Sequence, residues 1–500
     1  MPRIRIAIAG IALGSAALFQ SAHAQRLPSR EPPAEWAEYI AQAKAADAIK
    51  DDEARCKAYP DLPGNQWRPG AAQGRCALLR QPAWTLDQID ALLANRKGVT
   101  QLERDFATLL DAHYRDRSQR EQIFIAFSVF DASPRAGEVA QRWLKAAPQS
   151  AFANAAAGMH YGTAGWKARG TRYASKTSED QFKEMSRYFA QAVPAYLRAM
   201  ELEPRLSVAC AKLTAIGRQS DAAMQAYASS RCREVDPDSY YVAWEQIVSA
   251  QPKWGGSDDA LRGAVAYAAA RTERNPILGA LLAEAAGYRP GMAENEGEVV
   301  EELVEAARLG PSVSLLADAG RGYWVNDDWW RGIAYYSQAL RFRPDDAWYR
   351  YARAALTAPF YHLQWAHSDM VVALKQEPGN ARYLVMMGGI IEGLESPAAA
   401  RPYYQRAMTG EYRMQALERY CSTFLFPDVA AEADACTREL VEALPASASA
   451  WRLRSRALVG HDIEGAAAAA KRAEALDPPR PGPMIEIVQP RRPANGASGK

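Results

Sequence analysis

VSLLADAGRGYWVNDDWWRGIAYYSQALRFRPDD (residues 313–346) is followed by AWYRYARAALTAPFYHLQWAHSDMVVALKQEPGN (347–380) and ARYLVMMGGIIEGLESPAAARPYYQRAMTGEYRM (381–414), three blocks of 34 residues each. Aligned, they place Gly320, Ala354 and Gly388 in one column and Gly332, Ala366 and Ala400 in another. Tyr336, Met370 and Tyr404 follow, then Ala339, Ala373 and Ala407, with Pro344 and Pro378 closing the first two blocks. Gly or Ala suits a point where two helices cross too closely for a side chain, and the large residue fills the gap beside it. The proline ends the second helix, because it lacks an N–H and clashes with the preceding turn. A fixed period of this length means repeated helical hairpins, each too thin to bury its apolar face alone. The expected fold is all-α: tandem helical hairpins stacked into an α-solenoid.

Elsewhere the chain also reads helical, with abundant Ala and apolar residues spaced three and four apart. Residues 34–50 pattern as an amphipathic helix, and 56–84 as an irregular stretch punctuated by Pro60, Pro63, Gly64, Pro69, Gly70 and Gly74. Thr85 is placed to N-cap LDQIDALLA, with Asp87 in its first turn. Helical hairpins continue over 101–160. Residues 158–180, with Gly158, Gly162, Gly165 and Gly170, read as a long surface connection. Beyond it, Ala192, Tyr196, Ala199 and Pro204 reproduce the column spacing, Pro237 follows, and Ala306 with Pro311 and Ala473 with Pro478 echo it.

These columns resemble the tetratricopeptide repeat, well over 313–414 and less closely over 186–237 and 447–478. Thr357 and Ile391 stand where that family usually has Tyr, and Tyr412 where Pro is expected. A second resemblance covers about 160–310: Trp166, Arg169-Gly170, Tyr173-Ala174, AYLRAMELEP at 195–204 and Pro252-Lys253-Trp254-Gly255-Gly256-Ser257. In that order they look like an uncharacterised bacterial domain family built of helical pairs, which implies a fold and no activity. The expected organisation is a signal peptide over 1–24, an N-terminal helical region over 25–157, and a divergent helical-repeat domain over 158–312. Tetratricopeptide-like repeats then fill 313–478, and a disordered tail rich in Pro and Gly follows over 479–500.

Arg3 and Arg5, the apolar run Ile6–Phe19 and Ala22-His23-Ala24 make up an export signal. The run is 14 residues, short of a membrane span, for which about 20 are needed. Cleavage there removes two of the 60 Lys and Arg and none of the 58 Asp and Glu, so the mature chain is formally neutral. That charge lacks the basic footprint of a nucleic-acid or anionic-membrane binder. A periplasmic or secreted location and no membrane insertion after cleavage are expected. Six cysteines in an exported chain point to disulfides. Cys210 and Cys232 lie equidistant from a turn near Gly217–Asp221, Cys421 and Cys436 flank Pro427-Asp428, and Cys56 and Cys76 close the Pro/Gly-rich loop. Residues equidistant from a hairpin turn face each other, which is where a disulfide reaches. No Cys-x-x-Cys pair occurs, and His362 and His367 lie five apart, off the one-face spacing of a metal pair, so neither metal nor cofactor is expected.

Residues 323–365 hold 13 aromatics in 43 positions, against 48 in 500 overall, a density beyond what one layer of paired helices would bury. By column, Arg321, Trp324, Trp348, Tyr351, Arg382 and Glu392 belong to the first helices, which line the concave face in the family resembled. Trp, Tyr and Arg are the residues enriched at binding hot spots. In Pro252–Ser257, Gly255 and Gly256 suit a tight turn, Ser257 an N-cap with Asp258 and Asp259 behind it, and Trp254 a buried place beneath. Lys253 and Trp254 are its ligand candidates. No catalytic motif occurs: Asp327-Asp328 reads as a helix start, and Gly-x-Ser-x-Gly and His-Glu-x-x-His are absent from the sequence. The expected function is a non-catalytic scaffold for a protein, peptide or glycan in the cell envelope. The alternative is an all-helical enzyme on cell-wall polysaccharide, holding sugar in the same aromatic cleft.

Overall fold

The structure is a computed structural model that describes residues 31–171, 174–425 and 429–477. The export signal, the tail beyond Asp477 and the Pro427-Asp428 turn lie outside the described residues. Among those described there is no strand, and the α-helices run in order. The first seven are α1 (Ala34–Ala46), α2 (Asp52–Ala58), α3 (Ala71–Ala77), α4 (Leu86–Leu92), α5 (Arg96–Arg115), α6 (Gln122–Phe127) and α7 (Pro134–Ala146). Next come α8 (Ala151–Arg169), α9 (Glu179–Leu202), α10 (Ser207–Ser220), α11 (Ala222–Val235), α12 (Tyr240–Ala250), α13 (Asp258–Ala269), α14 (Glu284–Gly287) and α15 (Val300–Ala307). The repeat region holds α16 (Val313–Val325), α17 (Trp329–Phe342), α18 (Ala347–Thr357), α19 (Leu363–Gln376), α20 (Ala381–Leu394) and α21 (Pro397–Ala407). It closes with α22 (Arg413–Ser422), α23 (Ala430–Ala443), α24 (Ala448–Leu458) and α25 (Ile463–Leu476). The protein is an all-α array of helical hairpins, a tetratricopeptide-like α-solenoid.

The period is visible in the helix starts. First helices begin at 313, 347 and 381 and second helices at 329, 363 and 397, each 34 residues apart. Capping keeps this register: Asp346 accepts from the Tyr349 amide at 3.0 Å and Asn380 from that of Tyr383 at 3.3 Å. Asp328 caps α17 through the Arg331 amide at 3.2 Å, so Asp327-Asp328 is a helix start. The third unit differs at its end. Its second helix stops at Ala407 and a short 3-10 turn, Gly410–Tyr412, stands where the other units have proline.

The small-residue column works by close approach. A Cβ on Gly388 would lie 2.4 Å from the ring of Tyr404, and one on Gly320 would lie 3.1 Å from that of Tyr336. Tyr404 is fully buried and has no room to retreat. Overpacking costs about 1–3 kcal/mol, only partly offset by the ~1 kcal/mol by which Ala exceeds Gly in a helix interior. Gly388→Ala should therefore lower the melting temperature. Gly379→Ala, where no atom lies within 4 Å of the new Cβ, should not. A stabilised Gly388→Ala would contradict the packing role.

Residues 158–170 are not a surface connection. Gly158, Gly162 and Gly165 lie inside α8, a helix buried along most of its length. A Cβ on Gly158 would stand 2.7 Å from the Tyr196 ring, and one on Gly165 would stand 2.5 Å from Phe189, both on α9. These glycines are the same close-approach device, with α8 running to Arg169 and α9 beginning at Glu179. Likewise the stretch 56–84 contains α3, where a Cβ on Gly74 would meet Ile277 at 2.6 Å. Glycines that read as breakers are helix contacts, because packing against a bulky partner outweighs their low helix propensity.

The largest departure is long-range. The buried apolar residues of 34–79 join the core of residues 283–404, and Leu78 packs on the core of 240–281, while the Ala77 carbonyl accepts from Gln122 at 3.5 Å. A second core spans residues 89–242 and a third spans 240–281. The Tyr39 hydroxyl donates to the Ala334 carbonyl at 3.1 Å, and the Arg341 Nε donates to the Cys56 carbonyl at 2.8 Å. Trp67 and Trp365 donate indole N–H bonds to the Ala307 carbonyl and the Asp47 carboxylate, each at 2.8 Å. With α1–α3 laid against it, α17 is buried from Gly332 through Phe342. The Cys56/Cys76, Cys210/Cys232 and Cys421/Cys436 pairs stand at disulfide distance, with Cα–Cα separations of 5.4, 5.6 and 5.4 Å. The first braces the turn between α2 and α3, and the others each join the two helices of one hairpin.

Candidate functional site

Of the 13 aromatics in 323–365, nine are buried, Trp329, Trp348 and Tyr349 are half-buried, and Tyr361 is exposed. Burial of so many rings follows from the N-terminal helices covering the second helices of the array, which a single layer of hairpins could not achieve. Trp324, expected on the open face, is 5% exposed and part of the main core. Arg321 is held by the Glu296 carboxylate at 2.9 Å, a residue from the segment before α15. Neither is presented to a partner. Glu392 stands apart from the aromatic group, at the far end of α20. Its carboxyl is pushed up by burial, against a lowering by Tyr404.

Trp348, Tyr351 and Arg382 do come together. Tyr351 on α18 stacks on Tyr383 of α20, with ring centroids 5.3 Å apart and planes inclined by 28°. Trp348, one turn earlier, lies 5.4 Å from Tyr351. The Arg382 guanidinium carbon sits 5.6 Å from the Trp348 ring, 5.9 Å from Tyr351 and 5.3 Å from Tyr412. Its Nε also donates to the Tyr412 hydroxyl. Three ring faces and one hydrogen bond fix this cation without a carboxylate counterpart among the described residues. Burial pushes the Tyr351 phenol up to about 12, so the cluster carries a single positive charge. Cation–π contact of this kind contributes about 0.5–2 kcal/mol and orients the fork.

Tyr383 and Tyr412 belong to the cluster and were not singled out in the sequence. The signal for Tyr412 was present: it is the residue in the column where proline was expected. The early end of α21 at Ala407 brings Tyr412, in a short turn, beside Arg382.

The Pro252–Ser257 segment forms the turn between α12 and α13. Gly255 has φ +87°, and a Cβ on Gly256 would lie 2.1 Å from the Ala250 carbonyl oxygen. The Ser257 hydroxyl accepts from the Ala260 amide at 3.0 Å, with Asp258 and Asp259 in the first turn. Trp254 is half-buried rather than sealed beneath the turn, with the Arg218 guanidinium 5.3 Å from its ring. The Lys253 amide donates to the Tyr288 hydroxyl at 3.0 Å, and burial lowers the pKa of the Lys253 amine. This geometry ties a turn to its neighbouring helix.

A Ser, a His and an Asp also converge, at Ser207, His113 and Asp236, each at most 1% exposed. The Glu121 amide donates to His113 Nδ1 at 3.0 Å, so Nε2 carries the proton and donates to Asp236 at 2.7 Å. Ser207 donates to the same carboxylate at 2.8 Å rather than to the imidazole. A nucleophilic serine must hand its proton to histidine; this sealed group instead pins α5, α10 and the residue following α11 together. Among the described residues no group of three His, Cys, Asp or Glu is placed to hold a metal. No described helix is long and apolar enough to cross a membrane.

Residues 86–223 match the profile of a family described as a domain of unknown function, DUF4034. This overlaps the resemblance expected over 160–310 only up to residue 223 and stops short of Pro252–Ser257. No curated protein matches the chain. Among solved structures, the tetratricopeptide repeat protein YrrB, described as having an unusual peptide-binding site, is 20% identical with a TM-score of 0.31. It covers 36% of this chain and 94% of its own. The Cut9–Hcn1 hetero-tetramer of APC/C is 9% identical with a TM-score of 0.34, covering 79% of this chain and 96% of that one. The tetratricopeptide domain of P58(IPK) is 13% identical with a TM-score of 0.23, covering 58% and 88%. The fold assignment rests on the helix pairs themselves.

Proposed function

We propose that this chain is an exported, non-catalytic scaffold that captures a protein or peptide on its first-helix face, with Trp348, Arg382 and Tyr412 as the contact residues. The observation that carries the reading is Arg382: an oriented guanidinium, half-buried among rings on α18 and α20, with no carboxylate paired to it among the described residues. Such a group supports a partner bearing an acidic or carbonyl-rich segment, and Trp348 supplies the apolar platform beside it. Three cysteine pairs at disulfide distance agree with an oxidising compartment, the periplasm or the medium. A polysaccharide-cleaving site would require two facing carboxylates about 5–9.5 Å apart. The acids that act on Tyr383, Asp346 and Glu377, are instead occupied with the Tyr349 amide and the Asn380 side chain.

Tyr351 is 5% exposed and stacked, so its removal would disturb packing. Trp348→Ala and Arg382→Ala are the informative variants. Tagged mature protein is incubated with periplasmic extract and, separately, with peptidoglycan fragments, and bound material is quantified. Each variant should lose at least about tenfold in capture, corresponding to roughly 1.4 kcal/mol, while its unfolding transition stays cooperative. Undiminished capture by both variants would reject this face as the binding surface. Retention of sugar fragments alone would reject a protein partner.

A further inference from the structure

The third core, residues 240–281, meets the second, residues 89–242, at a buried polar junction that the binding face does not use. Glu121 is its centre. It is 1% exposed and stands just before α6 with φ +70°, a left-handed backbone that a side chain keeps only where its surroundings fix it. Its amide donates to His113 Nδ1 on α5 at 3.0 Å, on the side of the second core. Its carboxylate reaches the other way. Oε1 accepts from the Tyr240 amide at 2.6 Å and from Asn275 Nδ2 at 3.2 Å, and Oε2 accepts from the Ser239 hydroxyl at 2.9 Å. One residue thus ties the start of α12 and the segment before Pro276 to the second core.

All three donors to this carboxylate are neutral, and it has no ion-pair partner among the described residues. Arg120, on the same loop, turns to Asp236 instead, 3.4 Å away. Asp236 is fully buried as well and also accepts from His113 Nε2 and Ser207. The other groups facing the junction are Tyr114 on α5 and Tyr240 and Tyr241 on α12, with Arg75 of α3 and Glu284 of α14 behind Tyr240. The imidazole accepts at one nitrogen and donates at the other, so a further proton has its place on a carboxylate. The Ser239 hydroxyl can rotate to accept that proton from Glu121, whereas amide N–H groups cannot.

We propose that Glu121 is a proton-operated latch, holding the third core on the second when its carboxyl is protonated and releasing it when ionised. Burial pushes this carboxyl up, against a lowering by His113 and together with Asp236. An opened junction lets water reach the charge, which burial denies it. A carboxyl whose folded value is raised holds its proton more tightly closed than open, so closure weakens as pH rises through that value. The latch therefore tightens in acid.

Hydrogen exchange of the full mature chain at about pH 5 and about pH 8, each rate divided by the intrinsic rate at that pH, tests this. Protection over 239–243 and 277–281 should be about tenfold higher at the lower pH, the change expected for each unit by which closure raises the carboxyl. Residues 332–342 of α17, in the main core, should not respond. In Glu121→Gln, whose amide mimics the protonated acid, both segments should be equally protected at the two pH values. Asn275→Ala removes a donor to the charged form and should move the midpoint to higher pH, which decides the matter should Glu121→Gln not fold. Protection in the unaltered chain that is equal at both pH values, or that falls in acid, would overturn the proposal. So would a pH response that survives in Glu121→Gln, or an unmoved midpoint in Asn275→Ala.

Discussion

Arg353→Met will cost about 3–5 kcal/mol of folding stability, the range for removing one partner from a buried ion pair. The Arg353 side chain is fully buried, and its guanidinium donates to both Asp369 oxygens at 2.8 and 2.7 Å. It also donates to the hydroxyls of Tyr59 and Ser337 at 3.1 Å, and lies 2.7 Å from the Asp47 carboxylate. Burial works against its charge, but Asp369 and then Asp47 outweigh this and hold its pKa well above the ordinary value. Losing the cation leaves Asp369, itself fully buried, with Arg350 alone, and Asp47 with weaker company. Urea unfolding monitored by circular dichroism checks this; a loss under 1 kcal/mol would show that the network is not a keystone.

The same network sets an acid limit. Burial raises the Asp47 pKa, yet Arg353 and Arg350 more than compensate, so its folded value falls below the usual carboxylate range. A depressed folded pKa contributes stability that is fully present above the unfolded value, about 4. That contribution is lost as pH falls through the folded value. Glu53, held at about 2 chiefly by its hydrogen bond from Arg80, acts in the same direction. Acid unfolding should therefore start below about pH 4. In Arg353→Met the limb should move to higher pH, because Asp47 no longer gains from being ionised.

The second large effect concerns the N-terminal segment. Deleting residues 34–79 will leave the repeat region unable to fold as a soluble monomer, although its period suggests independence. Trp36, Tyr39, Ile40, Tyr59 and Leu62 are buried against it. At about 1.5–3 kcal/mol per large apolar side chain, the five together account for roughly 7–15 kcal/mol, an upper estimate, comparable to the whole stability of a typical domain, about 5–15 kcal/mol. The backbone acceptors at Leu340 and Ala334 would lose their donors as well. Size-exclusion chromatography and thermal unfolding of the deleted chain would show aggregate and no cooperative transition. A monomer melting within a few degrees of the intact chain would contradict the shared core.

These two cases mark where the sequence was legible. Period and capping act between near neighbours, so the starts of α16 through α21, the Thr85 N-cap and the two hairpin cysteine pairs could be read directly. Contacts such as Arg341 with Cys56 or Trp365 with Asp47 join residues roughly 300 positions apart, and no pattern within either segment announces the other. The glycines of α8 misled for a different reason. Composition reports flexibility, whereas their task is to admit Tyr196 and Phe189. At the candidate site, Trp348, Tyr351 and Arg382 meet in the structure because column position predicts which helix face a residue occupies. Arg321 and Trp324 met the same criterion but were claimed by Glu296 and by the core. Tyr412 escaped notice because it was read as a missing proline rather than as an aromatic ring.

Amide hydrogen exchange of the mature protein, with and without its captured partner, tests the assignment of the binding face most directly. Slowed exchange confined to residues 347–352, 381–386 and 410–413, the stretches that carry Trp348, Arg382 and Tyr412, is the predicted result. Slowing confined to α17 and α19, or to the turn at Pro252–Ser257, with the first helices unchanged, would contradict it.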